Sequence, residues 1–190
     1  SSTLDLGRIS GNSGPQGFRL SGKVTASSNW NAQPSPWILS GYGSGYLTIG
    51  AGTTVTLQPG ANLKGSPRAG GSCCNNYAAA LIVSGTLAAN GTAENPVTFT
   101  SIKDDAVGGD SNNDGSNSTA AAGDWGGIAV SGAGSIDFTQ TDIRNGSYGI
   151  QGTTTGVVSA VGGTWRNFDV SGIDINASNP KIQNISVANA

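Results

Sequence analysis

A glycine followed by isoleucine returns at nearly constant intervals through the second half of the chain. "GGI" ends at Ile128, "YGI" at Ile150 and "SGI" at Ile173, an interval of about 22 residues. Other apolar residues keep step. Ile136, Val158 and Ile182 follow each anchor by eight or nine residues, and Ile143, Trp165 and Val187 by fourteen or fifteen. Self-similarity at a period of roughly 20 to 50 residues marks a repeat architecture. Three short apolar segments per repeat, parted by Gly, Asn and Ser turns, are too brief for a helix pair. They fit one turn of a β-solenoid, in which three strands wind round a core and each coil pairs with the next.

Composition agrees. The 190 residues include 31 glycines, 11% charged and 36% hydrophobic residues. That is too apolar for a disordered tract and too poor in helix formers for long helices. A net charge of -2 leaves no basic footprint for nucleic acid. No long apolar run or basic amphipathic helix suggests membrane insertion. The absence of histidine excludes any His-based catalytic triad. The chain opens at Ser1 without methionine, which reads as a processed or truncated product.

The pattern can be followed upstream. "GYLTIGAGTTVTLQPGANLKG" offers Leu47, Val55 and Leu63, and "AALIVSGTLAANGTAENPVTFTS" offers Ile82, Leu87 and Val97 with Phe99. "SGKVTASSNW" and "SPWILSG" supply Val24, Trp30 and Ile38. The expectation is one all-β domain over 1–190, with an irregular N-terminal segment over 1–45 and regular coils over 46–190. About five to six coils of roughly 22 residues are interrupted by long insertions at 65–77 and 103–123, which should stick out from one face.

The run from "SGKVTASSNW" through "WILSG", "LTIGAGTTVTLQPGANLKG" and "LIVSGTLAANGTAENPVTFTS" to "GDWGGI" resembles right-handed parallel β-helix modules of bacterial secreted and cell-surface proteins. The ending "SNPKIQNISV" is similar to their general repeat. The resemblance implies a right-handed coil, as for other parallel crossovers, and an extracellular or cell-surface setting. It implies little about function, because the fold is a scaffold put to many uses.

Several residues carry chemistry of their own. Asp110, Asn112 and Asp114 take positions 1, 3 and 5 of a loop with Gly115 at position 6, a spacing that wraps oxygens round a hard cation. Position 12 is Ala121 rather than a bidentate Glu, so this is not an EF-hand. Asp104, Asp105 and Asp124 bracket the loop and would complete the oxygen shell of a structural Ca2+. The bland alternative is a solvated Asp/Asn/Gly loop. Cys73 and Cys74 are adjacent and read as a vicinal disulfide, strained but able to stiffen this loop; reduced thiols and bridges to another chain remain open. Arg144 and Arg166 hold one coil position and Asn145 and Asn167 the next. These pairs suggest an outer face neutralised by nearby Asp142 and Asp169, or an anion site, followed by an asparagine ladder. The four tryptophans with Tyr42, Tyr46, Tyr77 and Tyr148 are scattered over coil positions, with Trp165 at a core position.

Enzymes built on such coils need converging carboxylates. The positions after each "GI" are Ala129, Gln151 and Asp174, and Asp137, Asp142 and Asp174 fall on different strands. A threonine array of the kind used against ice begins at Thr54, Thr56, Thr98 and Thr100 but does not continue. The sequence therefore reads as a non-catalytic extracellular structural or adhesive protein. Self-association is expected through the solenoid ends, or through "SSTLDLGRIS" pairing with a neighbour. The alternative is a glycan-binding or polysaccharide-degrading module of a larger secreted protein.

Overall fold

The computed structural model describes the backbone of residues 2–3 and all of 17–40, 46–66 and 80–188. Cys73, Cys74, most of the first insertion, Tyr42, Tyr77 and most of the N-terminal segment lie outside the described residues. The described chain is all-β. Its 17 strands form a sheet of eleven and a sheet of six. Every pairing between strands is parallel.

Neighbouring strands are one repeat apart in the chain. The six-stranded sheet runs Gly22–Val24, Leu47–Ile49, Ala80–Val83, Gly127–Gly132, Tyr148–Thr154 and Ser171–Asn176. In the larger sheet one run passes through Ser28–Trp30, Thr54–Leu57 and Thr86–Asn90, and another through Phe18–Leu20, Trp37–Leu39, Asn62–Gly65 and Val97–Ser101. The two runs meet in Ser135–Arg144, whose first half pairs with Thr86–Asn90 and second half with Val97–Ser101. Between the halves the backbone turns at Gln140 (φ 49°). The same bend recurs one repeat on at Gly162 (φ 74°), and again at Asn184 (φ 55°). Left-handed residues suit such corners because they redirect a strand within a single residue.

The anchors stack as their spacing predicts. Ile128 pairs with Ile150 and Ile150 with Ile173, while Ile143 pairs with Trp165 and Trp165 with Val187. The glycine before the first two anchors has a steric cause, whereas a Cβ on Gly172 would meet only side chains, the nearest Phe168 at 3.3 Å. A Cβ on Gly127 (φ 89°) would sit 2.2 Å from the Tyr148 carbonyl oxygen, and one on Gly149 would sit 2.3 Å from that of Gly172.

Some assignments shift by one or two residues. Leu81, not Ile82, lies in register with Leu47 and Ile128. Trp37 and Leu39 flank Ile38 on the opposite face and join the core in its place. Phe99 rather than Val97 pairs with Leu63, and Ile182 pairs with Ala160 rather than Val158. Side chains alternate faces along a strand, so a one-residue slip exchanges inside for outside. In "ALIV" and "WIL" both faces are apolar, which hides the phase.

Inside, the layers are hydrocarbon. Val55, Leu87, Ile128, Ile136, Ile143 and Ile150 are fully buried, each burial being worth about 1.5–3 kcal/mol. Phe99 stacks on Phe138 at 5.7 Å, and Trp165 meets Phe138 edge-on at 6.5 Å. Trp30 stacks on Trp37 at 4.9 Å. All four tryptophans are buried, so they offer no face to a sugar. Thr54 is followed in its column by Thr86 and Ser135, and Thr56 by Ala88 and Asp137, so no threonine array continues.

Candidate functional site

The second insertion does not stick out. Residues 102–126 fold back over the outer face of the larger sheet, so that Val97–Ser101, whose Val97 and Phe99 face the core, is buried on both faces. This flap is held at its two ends. Lys103 Nζ pairs with Asp124 Oδ1 at 2.8 Å, and Asp124 Oδ2 accepts from Ser101 Oγ at 2.8 Å and the Ala121 amide at 2.9 Å. Asp104 Oδ2 accepts from Thr100 Oγ1 at 2.7 Å and from Arg144 Nε at 2.8 Å. Asp104 and Asp124 are therefore claimed by cations and hydroxyls at the base of the flap. They do not join the oxygen cluster, contrary to the sequence expectation.

Arg144 and Arg166 lie side by side as their register predicts. Asp142 holds them together, accepting from Arg144 Nη1 at 2.6 Å and Arg166 Nη1 at 3.1 Å. Burial pushes the Asp142 carboxyl above its usual range, although both guanidiniums pull it down. The expected second counter-charge, Asp169, instead lies against Gly123, and Asp104 takes its place at Arg144. The asparagine ladder is present. Asn167 Nδ2 donates to Asn145 Oδ1 at 2.6 Å, and Asn145 Nδ2 donates to Thr100 Oγ1 at 2.9 Å. Both asparagines have left-handed backbones, with φ of 63° and 60°. Lys103, Asp104, Arg144, Asn145 and Arg166 line a cleft of about 510 Å³ beside the flap.

At the tip of the flap the cation-loop spacing has the local geometry it implies. Asp110 Oδ1 accepts from the Asn113 amide at 2.6 Å, and Oδ2 from the Gly115 amide at 2.8 Å. Gly115 has φ 70°, the bend its place in the loop calls for. These amides, that of Gly115 foremost, hold the Asp110 carboxyl below the usual range. One carboxylate oxygen from each of Asp105, Asp110 and Asp114 lies within 4.8 Å of the others. Burial and then repulsion from Asp110 push the Asp105 carboxyl up.

The residue that sequence reasoning missed is Lys64. It occupies an outward position between Leu63 and Gly65, where a lysine reads as solvated, yet it is fully buried. Its Nζ donates to the Gly109 carbonyl at 2.6 Å and to Ser111 Oγ at 2.8 Å, both in the flap. Burial lowers its pKa, and Asp104, Asp105 and Asp110 resist the fall. No local signal marks it, because the cover comes from residues some 45 positions away.

The polar positions on the other faces do not converge. Ala129, Gln151 and Asp174 are stacked in one column, Asp137 lies beside Ser159 in a second, and Asp142 in a third, although Asp137 and Asp142 share the strand Ser135–Arg144 rather than lying on different ones. Comparison with known proteins finds no matching family model, curated protein or solved structure.

Proposed function

We propose that this chain is a right-handed parallel β-helix from an extracellular or cell-surface protein, serving as a non-catalytic structural or adhesive element that stacks end to end. Support for the solenoid comes from the register, in which each strand meets the strand one repeat later and the same bend recurs at Gln140, Gly162 and Asn184. The observation that carries the assembly reading is the last layer. Ile150 and Trp165 are fully buried, whereas their partners Ile173 and Val187 are half-covered and 58% exposed. Ser171–Asn176 and Lys181–Ala188 each pair along one edge only among the described residues. An open parallel edge over an apolar cross-section is completed by another layer, supplied by a second copy of the chain or by further coils of a longer protein, and the proposal takes the second copy.

The test is sedimentation and electron microscopy across a concentration series, with Val187→Lys as the interfering variant. Fibres or concentration-dependent oligomers that Val187→Lys abolishes are the expected result. A wild-type chain that stays monomeric at every concentration would sink the assembly reading.

The cleft at Lys103, Arg144 and Arg166 favours a second reading, an acidic-glycan-binding module of a larger secreted protein. It ranks lower because each of those cations already has a carboxylate partner.

A further inference from the structure

Three oxygens in the flap are buried with nothing to bond to. Asp105 Oδ1, Asn112 Oδ1 and Asp114 Oδ1 each expose less than 1 Å² and have no hydrogen-bond donor. Buried acceptors in native proteins nearly always have a partner, so each orphan calls for one. These three are all acceptors, and two belong to the carboxylate triad of Asp105, Asp110 and Asp114. Of the nearby donors, both N–H groups of Asn112 Nδ2 are taken by Asp114 Oδ2 and Ser118 Oγ, and Lys64 Nζ donates to Gly109 and Ser111 rather than to these oxygens.

We propose that Asp105, Asp110, Asn112 and Asp114 bind one calcium ion, which fastens the 102–126 flap over Lys64 and the outer face of the sheet. The charge balance supports a divalent ion. Asp104, Asp124 and Asp142 are neutralised by Arg144, Lys103 and Arg166, whereas no ion pair among the described residues reaches the triad. The triad's three negative charges face one buried ammonium, that of Lys64, leaving an excess that one divalent cation cancels. The donor set favours calcium among divalent ions. Its oxygens are carboxylate and amide, and the chain has no histidine to attract a softer metal. Three atoms no more than 4.8 Å apart lie within about 2.8 Å of a common centre, close to calcium–oxygen bonds of about 2.3–2.6 Å. Magnesium requires a tighter octahedron at about 2.0–2.1 Å and keeps much of its water.

This site does not depend on end-to-end assembly, and its test is separate. Protein stripped with chelator and dialysed is titrated with CaCl2 and with MgCl2 by calorimetry, and unfolded thermally in each salt. One calcium per chain is expected. A rise in Tm of about 5–10 °C is expected at a calcium concentration a hundredfold above Kd. Magnesium should bind at least tenfold more weakly. Asp105→Asn and Asp114→Asn should each weaken calcium at least tenfold, while Asp137→Asn, on another face, should not. Hydrogen exchange on the wild-type chain provides a readout that survives misfolding of a variant. Calcium should slow the amides of Asn113, Asp114 and Gly115 while leaving 135–166 unchanged. The proposal is overturned if calcium up to about 10 mM, beyond the weakest extracellular sites, gives neither heat nor a Tm shift. Undiminished binding in both folded variants, or unaltered exchange in the flap, would overturn it equally.

Discussion

Removing the Asn145 side chain tests whether the corner between flap and sheet is held by an amide and by a backbone conformation separately. Asn145 is 7% exposed. It has φ 63° and bonds to Thr100 Oγ1 at 2.9 Å and Asn167 at 2.6 Å. Asn145→Ala deletes both bonds, each worth about 1 kcal/mol. It also places a Cβ without a local polar partner in the left-handed region, at about 1–2 kcal/mol. The expected loss is about 3–4 kcal/mol, or a fall in Tm of about 6–15 °C for a chain of this length. Asn145→Gly loses the bonds but keeps the backbone, so about 2 kcal/mol should disappear. Asn145→Asp keeps the backbone preference but replaces an amide nitrogen lying 3.5 Å from Asp104 Oδ2 with a carboxylate oxygen. It should be the worst of the three at neutral pH. Urea unfolding followed by circular dichroism measures all of them. Equal losses for Ala and Gly would refute the backbone part, and losses under about 0.5 kcal/mol for both would refute the ladder as a source of stability.

Gly127→Ala would bring a Cβ 2.2 Å from the Tyr148 carbonyl oxygen at φ 89°. It should therefore lose at least about 3 kcal/mol in the same assay, and a near-neutral result would disprove the steric account of the recurring "GI". Asp142 tests the balance between burial and ion pairing. An acid whose folded pKa is raised contributes stability that is full below its unfolded pKa of about 3.9 and is lost as pH rises through the folded value. Wild type should therefore lose ground against Asp142→Asn as pH rises through that window. The opposite slope would show that Arg144 and Arg166 outweigh desolvation.

The period was legible because its cause is repeated. Each anchor puts an apolar residue inside, and at Ile128 and Ile150 the preceding glycine sits where two backbones touch, so the series Ile128, Ile150 and Ile173 stands out unaided. The asparagine column was legible for a related reason, since Asn145 and Asn167 answer the same corner one repeat apart. Phase was lost where both faces are apolar, as at Leu81 and Ile82. Three of the four proposed cation ligands, Asp110, Asn112 and Asp114, were visible in the local spacing with Gly115, and Asp105 only as one of three bracketing carboxylates. The roles of Asp104 and Asp124 were not visible, because their partners Arg144 and Lys103 are chosen by the way the flap lies.

The sequence alone thus determined the all-β character, the repeat length and the stacking of Ile128, Ile150 and Ile173 and of Ile143, Trp165 and Val187. These depend on a pattern that recurs along the chain and can be read without knowing which segments meet. Only the tertiary structure decided that the second insertion closes over the sheet, that Lys64 is buried beneath it, and that Asp105 rather than Asp104 or Asp124 meets the loop's carboxylates. Burial and charge pairing at those positions are set by segments far apart in the chain, and no short-range pattern encodes which distant segment arrives.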